Sequence, residues 1–246
     1  MEASSGSGAG GPAVAGRAGD GMPRARNWDR IAGSAGLIFI VLFVVTFFTP
    51  ETPSPDTPAD AFAAAVVADA DGHLFSLFLH FVMDVIFLVF LAGLWSRFRR
   101  WEGAGGLFSG LFAIAGAVFY ATILVSEGLY LALVKAGQTA DPSVLPPLAL
   151  LDDWVGTASV PALVAMFVGA TGAILSTRAL PTWLGWLGAV VALVLLVALA
   201  GVFTDDVDGG LPGTAGAIGF LLYLVWVLAA SVVLVVKGGR EAAPAA

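Results

Sequence analysis

The 246-residue chain contains no cysteine, which excludes disulfides, thiolate nucleophiles and Cys-based metal sites. Charge is scarce as well. Asp, Glu, Lys and Arg make up 12% of the residues, hydrophobic residues make up 59%, and the mean hydropathy is +0.93. Soluble domains carry roughly 25% charged residues, so this chain has too little polar surface to fold in water. Lysine is confined to Lys135 and Lys237, and histidine to His73 and His80. Gly103, Gly105, Gly106 and Gly110 have neither the Rossmann spacing nor the Lys-Ser/Thr that a P-loop requires, and read as positions of close helix packing. No connection between apolar runs is long enough for a separate catalytic domain of about 50 residues, so any chemistry has to lie in or at the membrane.

What the sequence does have is six apolar runs, at 31–49, 74–95, 107–130, 154–176, 183–203 and 214–236. A hydrocarbon core of about 30 Å needs about 20 residues of helix, and each run meets that length. The expected fold is all-α, a polytopic transmembrane helix bundle occupying 30–238. The Gly-, Ala- and Ser-rich residues 1–29 read as a disordered tail and 239–246 as a second tail, since neither has an apolar period. The first run is too long, and its flank too unlike an A-x-A site, for a cleaved signal peptide; it is expected to be a true span. Pro161 predicts a kink in span four.

Ten of the eleven basic residues fall on one side of this layout: Arg17, Arg24, Arg26, Arg30, Arg97, Arg99, Arg100, Arg178, Lys237 and Arg240. Lys135 stands alone on the other, among Glu51, Asp56, Asp60, Asp69, Asp71, Asp141, Asp152, Asp153, Asp205, Asp206 and Asp208. Because Lys and Arg are retained on the cytoplasmic side, both termini are expected there. The preference for Arg over Lys, with abundant Ala, Gly and Val, suggests a bacterial chain, and the plasma membrane is its expected location.

Several short motifs have ordinary readings. Trp95, Arg97, Phe98, Arg99, Arg100 and Trp101 suit anchoring at lipid headgroups, not nucleic-acid binding. Thr57-Pro58-Ala59-Asp60 has the form of a capping box, opening a short amphipathic helix with Phe62, Val66 and Val67 on one face. That helix either packs over the bundle or acts as a lid. Residues 204–210, TDDVDGG, form an acidic turn without the ligand series of a calcium loop.

Span two carries the exception. His73, Ser76, His80 and Asp84 are spaced 3, 4 and 4 apart, which puts them on one helical stripe with His80 and Asp84 in i,i+4 reach. An ionised carboxylate at mid-bilayer costs at least ~2.5–3.5 kcal/mol, so Asp84 has to be paired, neutral or functional. Tyr120, Ser126 and Glu127 on span three would complete a polar track if the two faces meet. Three uses compete for it. A single interhelical hydrogen bond from Asp84 would fix register, worth about 0.6–2 kcal/mol. A coupled His80–Asp84 pair would bind a proton, cation or substrate for transport or sensing. A metal held by His80, Asp84 and Glu127 is the third, and His73, about 10 Å along the helix, could not join it.

The stretch STRALPTWLGWLGAV at 176–190 and RIAGSAGL at 30–37 resemble bacterial multi-span proteins grouped as domain-of-unknown-function family 4386. The resemblance implies a six-helix membrane protein and brings no catalytic residues. The expected protein is therefore non-enzymatic and without cofactor or metal, structural or partner-supporting, with a proton- or cation-linked transporter or sensor as the alternative. Its expected partner is the lipid bilayer and not nucleic acid, and the sequence names no small-molecule ligand or protein partner.

Overall fold

The computed structural model describes residues 21–203 and 210–237. Among them the chain is all-helical: α1 (Gly21–Thr46), α2 (Ala59–Ala68), α3 (Ala70–Glu102), α4 (Leu107–Ala136), α5 (Leu145–Ala158), α6 (Val160–Thr177), α7 (Thr182–Ala198) and α8 (Gly210–Lys237). Short 3-10 turns at Pro142–Val144 and Leu199–Phe203 precede α5 and extend α7. Six segments are long and apolar enough to cross a membrane: Asn27–Thr46, Ala70–Glu102, Leu107–Ala136, Pro142–Thr177, Thr182–Phe203 and Gly210–Lys237. They exceed the runs read from hydropathy because helical hydrogen bonding continues past the hydrocarbon, where polar residues are tolerated. α1 accordingly starts at Gly21, inside the stretch read as a tail. Residues 1–20 and 238–246, and the acidic turn up to Gly209, lie outside the described residues.

The spans close into a ring in which α1 packs on α3, α3 on α4, α4 on α6, α6 on α7, α7 on α8, and α8 back on α1. α5 continues α6 along α4, with a break at Ser159. Pro161 lies at the start of α6, where its missing N–H does no harm, and the predicted kink becomes a division of the span into two helices. The ring has a basic end, with the 103–106 and 178–181 connections, and an acidic end, with α2 and residues 137–144.

Close approach is built into α1. A Cβ on Gly33 would come within 2.7 Å of the Ser231 carbonyl of α8, so a side chain here would force α1 and α8 apart. Gly185 does the same for the α6–α7 turn, where a Cβ would lie 2.7 Å from Leu175. The basic half of the interior is filled: Phe98 meets Phe112 edge-on at 5.1 Å and Phe167 meets Trp226 at 5.2 Å. Such pairs contribute about 0.5–1.5 kcal/mol each beyond their area. The ring's outside is also apolar, with Val41, Val85, Ile114, Leu193 and Val225 all exposed, as suits contact with lipid.

Two expectations from the motifs change. Trp95 is exposed at the basic end, as an interfacial anchor would be, but Arg97 and Phe98 are buried. Arg97 donates to Asp29 of α1 at 2.8 Å and to the Ala179 carbonyl at 2.7 Å, and Arg100 donates to the other Asp29 oxygen at 2.7 Å. The Trp-Arg stretch is thus partly a brace inside the bundle, because Asp29 offers a better partner than headgroups do. Glu102 accepts from the backbone N–H groups of Phe108 and Ser109 at 2.8 and 2.7 Å and so caps α4 across the 103–106 turn. The capping box of α2 does not form: Pro58 is the N-cap, and no side chain satisfies the first N–H groups. α2 forms nonetheless because Phe62 and Val66 are fully buried against a second apolar cluster including Leu77, Leu133 and Leu145, while Val67 points outward.

Candidate functional site

At the acidic half the ring is hollow. A cavity of about 510 Å³ opens toward that end, lined from α1, α3, α4, α5, α8 and residues 49–52. Its floor is aromatic: Phe87 stacks on Tyr120 at 4.6 Å and leans on Phe39 at 4.9 Å, and the Tyr120 and Tyr223 hydroxyls meet at 3.5 Å.

Five of the six residues singled out from sequence line this space: Ser76, His80, Asp84, Tyr120 and Glu127. His73 does not. It is buried one step behind the wall, its Nδ1 2.5 Å from the hydroxyl of Tyr130, which does line the cavity. Ser76 shares a hydrogen bond of 3.0 Å with Thr49, tying the rim of α1 to α3.

The pairing expected of Asp84 changes. On one helical face at i,i+4, His80 was its expected partner, yet the imidazole turns across the gap, with its Nδ1 4.0 Å from Glu127 Oε1. Asp84 instead faces Glu127, and the two carboxyl groups are close enough to share a hydrogen bond. A carboxylate only accepts, so this contact requires a proton on one of the two. Asp84 is 6% exposed and Glu127 8%, and the buried Asp84 Oδ2 and Glu127 Oε2 atoms receive no hydrogen bond from an N–H or hydroxyl group of the residues around them. Packing of α3 on α4 decides this geometry: it turns the Glu127 face inward at the depth of Asp84.

Several lining residues lie outside the predicted track, three polar ones among them. Tyr130 sits near the mouth, Tyr223 arrives from α8, and Asp152, assigned to a loop, is on α5 and accepts from the Ser126 hydroxyl. One compositional signal points to the two tyrosines. The chain has three tyrosines and two histidines, and all five lie in or against this one cavity. Polar aromatics in so apolar a chain would otherwise be expected along the interfaces.

Electrostatically the site has one sign. Glu51, Asp84, Glu127 and Asp152 line it, no Lys or Arg does, and His80 is the single basic side chain in the lining. Among the described residues, no group of three or more His, Asp or Glu side chains is placed to hold a metal ion, so His80, Asp84 and Glu127 do not form the considered ligand set. Low-dielectric walls around carboxyl groups focus a negative potential, which favours a cation or a hydrogen-bond donor. No family model, curated protein or solved structure matches the chain.

Proposed function

We propose that this chain is a non-enzymatic multi-pass protein of a bacterial plasma membrane, with both termini cytoplasmic, that binds a small ligand in its acidic cavity as a transporter or sensor does. One observation carries the proposal: two acidic residues, Asp84 and Glu127, lie together on the wall of a cavity of ligand size that no Lys or Arg lines. A buried acceptor without a donor costs about 1–3 kcal/mol. Two carboxyl groups side by side need a proton between them merely to coexist, and a single satisfied hydrogen bond would fix helix register without that. They are a good way to receive a ligand that brings donors. The concentration of basic residues at the opposite end supports an outward-facing mouth. Kinship with family 4386 rests on the two short motifs alone.

The experiment is thermal stability of the purified protein against a small-molecule panel. A ligand that binds only the folded state raises the apparent midpoint, by about 2.7 kcal/mol at 100 times its Kd. Ile123→Trp, which fills the cavity from α4, should abolish any such shift. Shifts that survive in this variant would place binding elsewhere and refute the proposal.

A further inference from the structure

We infer that the ligand is a protonated primary or secondary amine with an apolar or aromatic body, and that its ammonium displaces the proton shared by Asp84 and Glu127. This deepens the reading of the cavity as a ligand site and rests on it.

The class follows from what the walls offer and lack. Once the shared proton leaves, both carboxylates accept and cannot donate, so a ligand that takes its place has to bring N–H or O–H groups to this depth. A quaternary ammonium brings none. A bare metal ion is disfavoured for a different reason, since hard cations take about six oxygen ligands and, among the described residues, no three His, Asp or Glu side chains are grouped to hold one. An anion would face four carboxyl side chains with no Lys or Arg among the lining residues. Phe39, Phe43, Phe119, Tyr120, Phe220 and Tyr223 present rings around the acids, and aromatic faces attract a cation within about 6 Å while packing against an apolar body. A primary or secondary ammonium satisfies both demands, with two N–H groups for the two carboxylates.

Charge balance gives the coupling. The empty pair holds one proton over two carboxyls, a net charge of about -1. Adding an ammonium and removing that proton leaves two carboxylates and one cation, so the net buried charge is unchanged and the desolvation of the ammonium is offset by its pairing with both carboxylates. In the exchange the amine's N–H groups hydrogen-bond to Asp84 and Glu127, the carboxyl O–H breaks, and the proton leaves to water. His80 is placed to pass it on, since it faces Glu127 at 4.0 Å and its side chain is 31% exposed toward the mouth. The other titratable groups on the elements around the pair are His73 on α3, Tyr120 and Tyr130 on α4, Asp152 on α5, Tyr223 on α8, and Glu51 before α2.

The test uses the full chain in detergent and a fixed panel: a series of primary amines from ethylamine to phenethylamine and dodecylamine, N,N,N-trimethylphenethylammonium, 2-phenylethanol, glucose, and sodium and potassium chloride. Calorimetry in buffers of different ionisation enthalpy counts protons. Amines should bind with about one proton released each, so that affinity rises on the order of tenfold per pH unit while the pair is protonated. The trimethylated compound and the alcohol should bind at least about tenfold more weakly. Asp84→Asn and Glu127→Gln should each abolish the release while keeping the fold. Amine binding without proton release overturns the exchange. Binding of the alcohol, the sugar or the quaternary cation in preference to amines, blocked by Ile123→Trp, overturns the inference and leaves the cavity reading standing. If no member of the panel binds, both fall.

Discussion

Arg97 of α3 and Asp29 of α1 form a buried ion pair at 2.8 Å, with the two side chains 5% and 7% exposed. Arg100 reaches the second Asp29 oxygen, and Arg97 also holds the Ala179 carbonyl in the turn before α7. One carboxylate thus bridges two guanidinium groups and joins three parts of the ring at the basic end. Removing one member of a buried pair typically costs about 3–5 kcal/mol, because the remaining charge stays desolvated. Asp29→Ala should lower stability by that order and Asp29→Glu by less, measured by reversible chemical denaturation in mixed micelles. An unchanged midpoint for Asp29→Ala would show that Arg97 and Arg100 find water or lipid phosphate instead.

The brace and the site were legible in the sequence to different degrees, for one physical reason. Hydropathy reports the environment of each residue, so the six apolar runs are visible from composition along the chain. Helical periodicity is equally local, and it put Ser76, His80 and Asp84 on one stripe. Partners across helices are not local: Asp29 and Arg97 are 68 positions apart. Nothing in a one-dimensional pattern says that the Glu127 face of α4 turns toward Asp84, or that Tyr223 closes the floor from α8. His80 was assigned to Asp84 by proximity on a single helix, whereas the ring offers it a carboxylate across the gap.

Topology is testable because the chain has no native cysteine. Asp69 and Lys135 are exposed at the acidic end, and Arg99 and Arg178 are exposed at the basic end. Under the proposed orientation, single Cys substitutions at Asp69 and Lys135 should react with an impermeant maleimide in intact cells. Those at Arg99 and Arg178 should react only after lysis. The reverse pattern would turn the cavity toward the cytoplasm.

His73 and Tyr130 brace the mouth from behind. Their Nδ1 and hydroxyl groups meet at 2.5 Å, and the rings stand at 90° with centroids 5.9 Å apart. Tyr130→Phe keeps the ring contact and leaves His73 without its partner, at a cost of about 1 kcal/mol. A drop in thermal midpoint with retained ligand binding is the expected outcome. Loss of binding with an unchanged midpoint would instead place the Tyr130 hydroxyl in the ligand site.

Gly33 separates packing from chemistry. A side chain there meets the Ser231 carbonyl and the Leu234 and Val235 side chains, all within 3 Å, so Gly33→Val should force α1 from α8. Backbone atoms cannot yield as a side-chain tip can, and overpacking costs about 1–3 kcal/mol. The measurement is folded yield on size-exclusion chromatography. Wild-type yield would mean that α1 can shift along α8 without loss.

Asp84 and Glu127 give the sharpest test, because a structural and a functional role predict opposite signs. Asp84→Asn keeps shape and lets the amide donate to Glu127, so the fold should persist while proton-linked ligand response is lost. Asp84→Leu leaves Glu127 buried beside an apolar side chain and should cost about 1–3 kcal/mol. The double variant Asp84→Leu/Glu127→Leu removes both acids and the proton between them. Replacing a buried polar pair with apolar residues of similar volume is often neutral or stabilising by about 1–4 kcal/mol. The double variant should therefore melt at or above the wild-type temperature and bind no amine, which is the pattern of a site kept for function at a cost in stability. If it melts below both single variants, the carboxyl pair holds α3 to α4, and Asp84 is a structural residue.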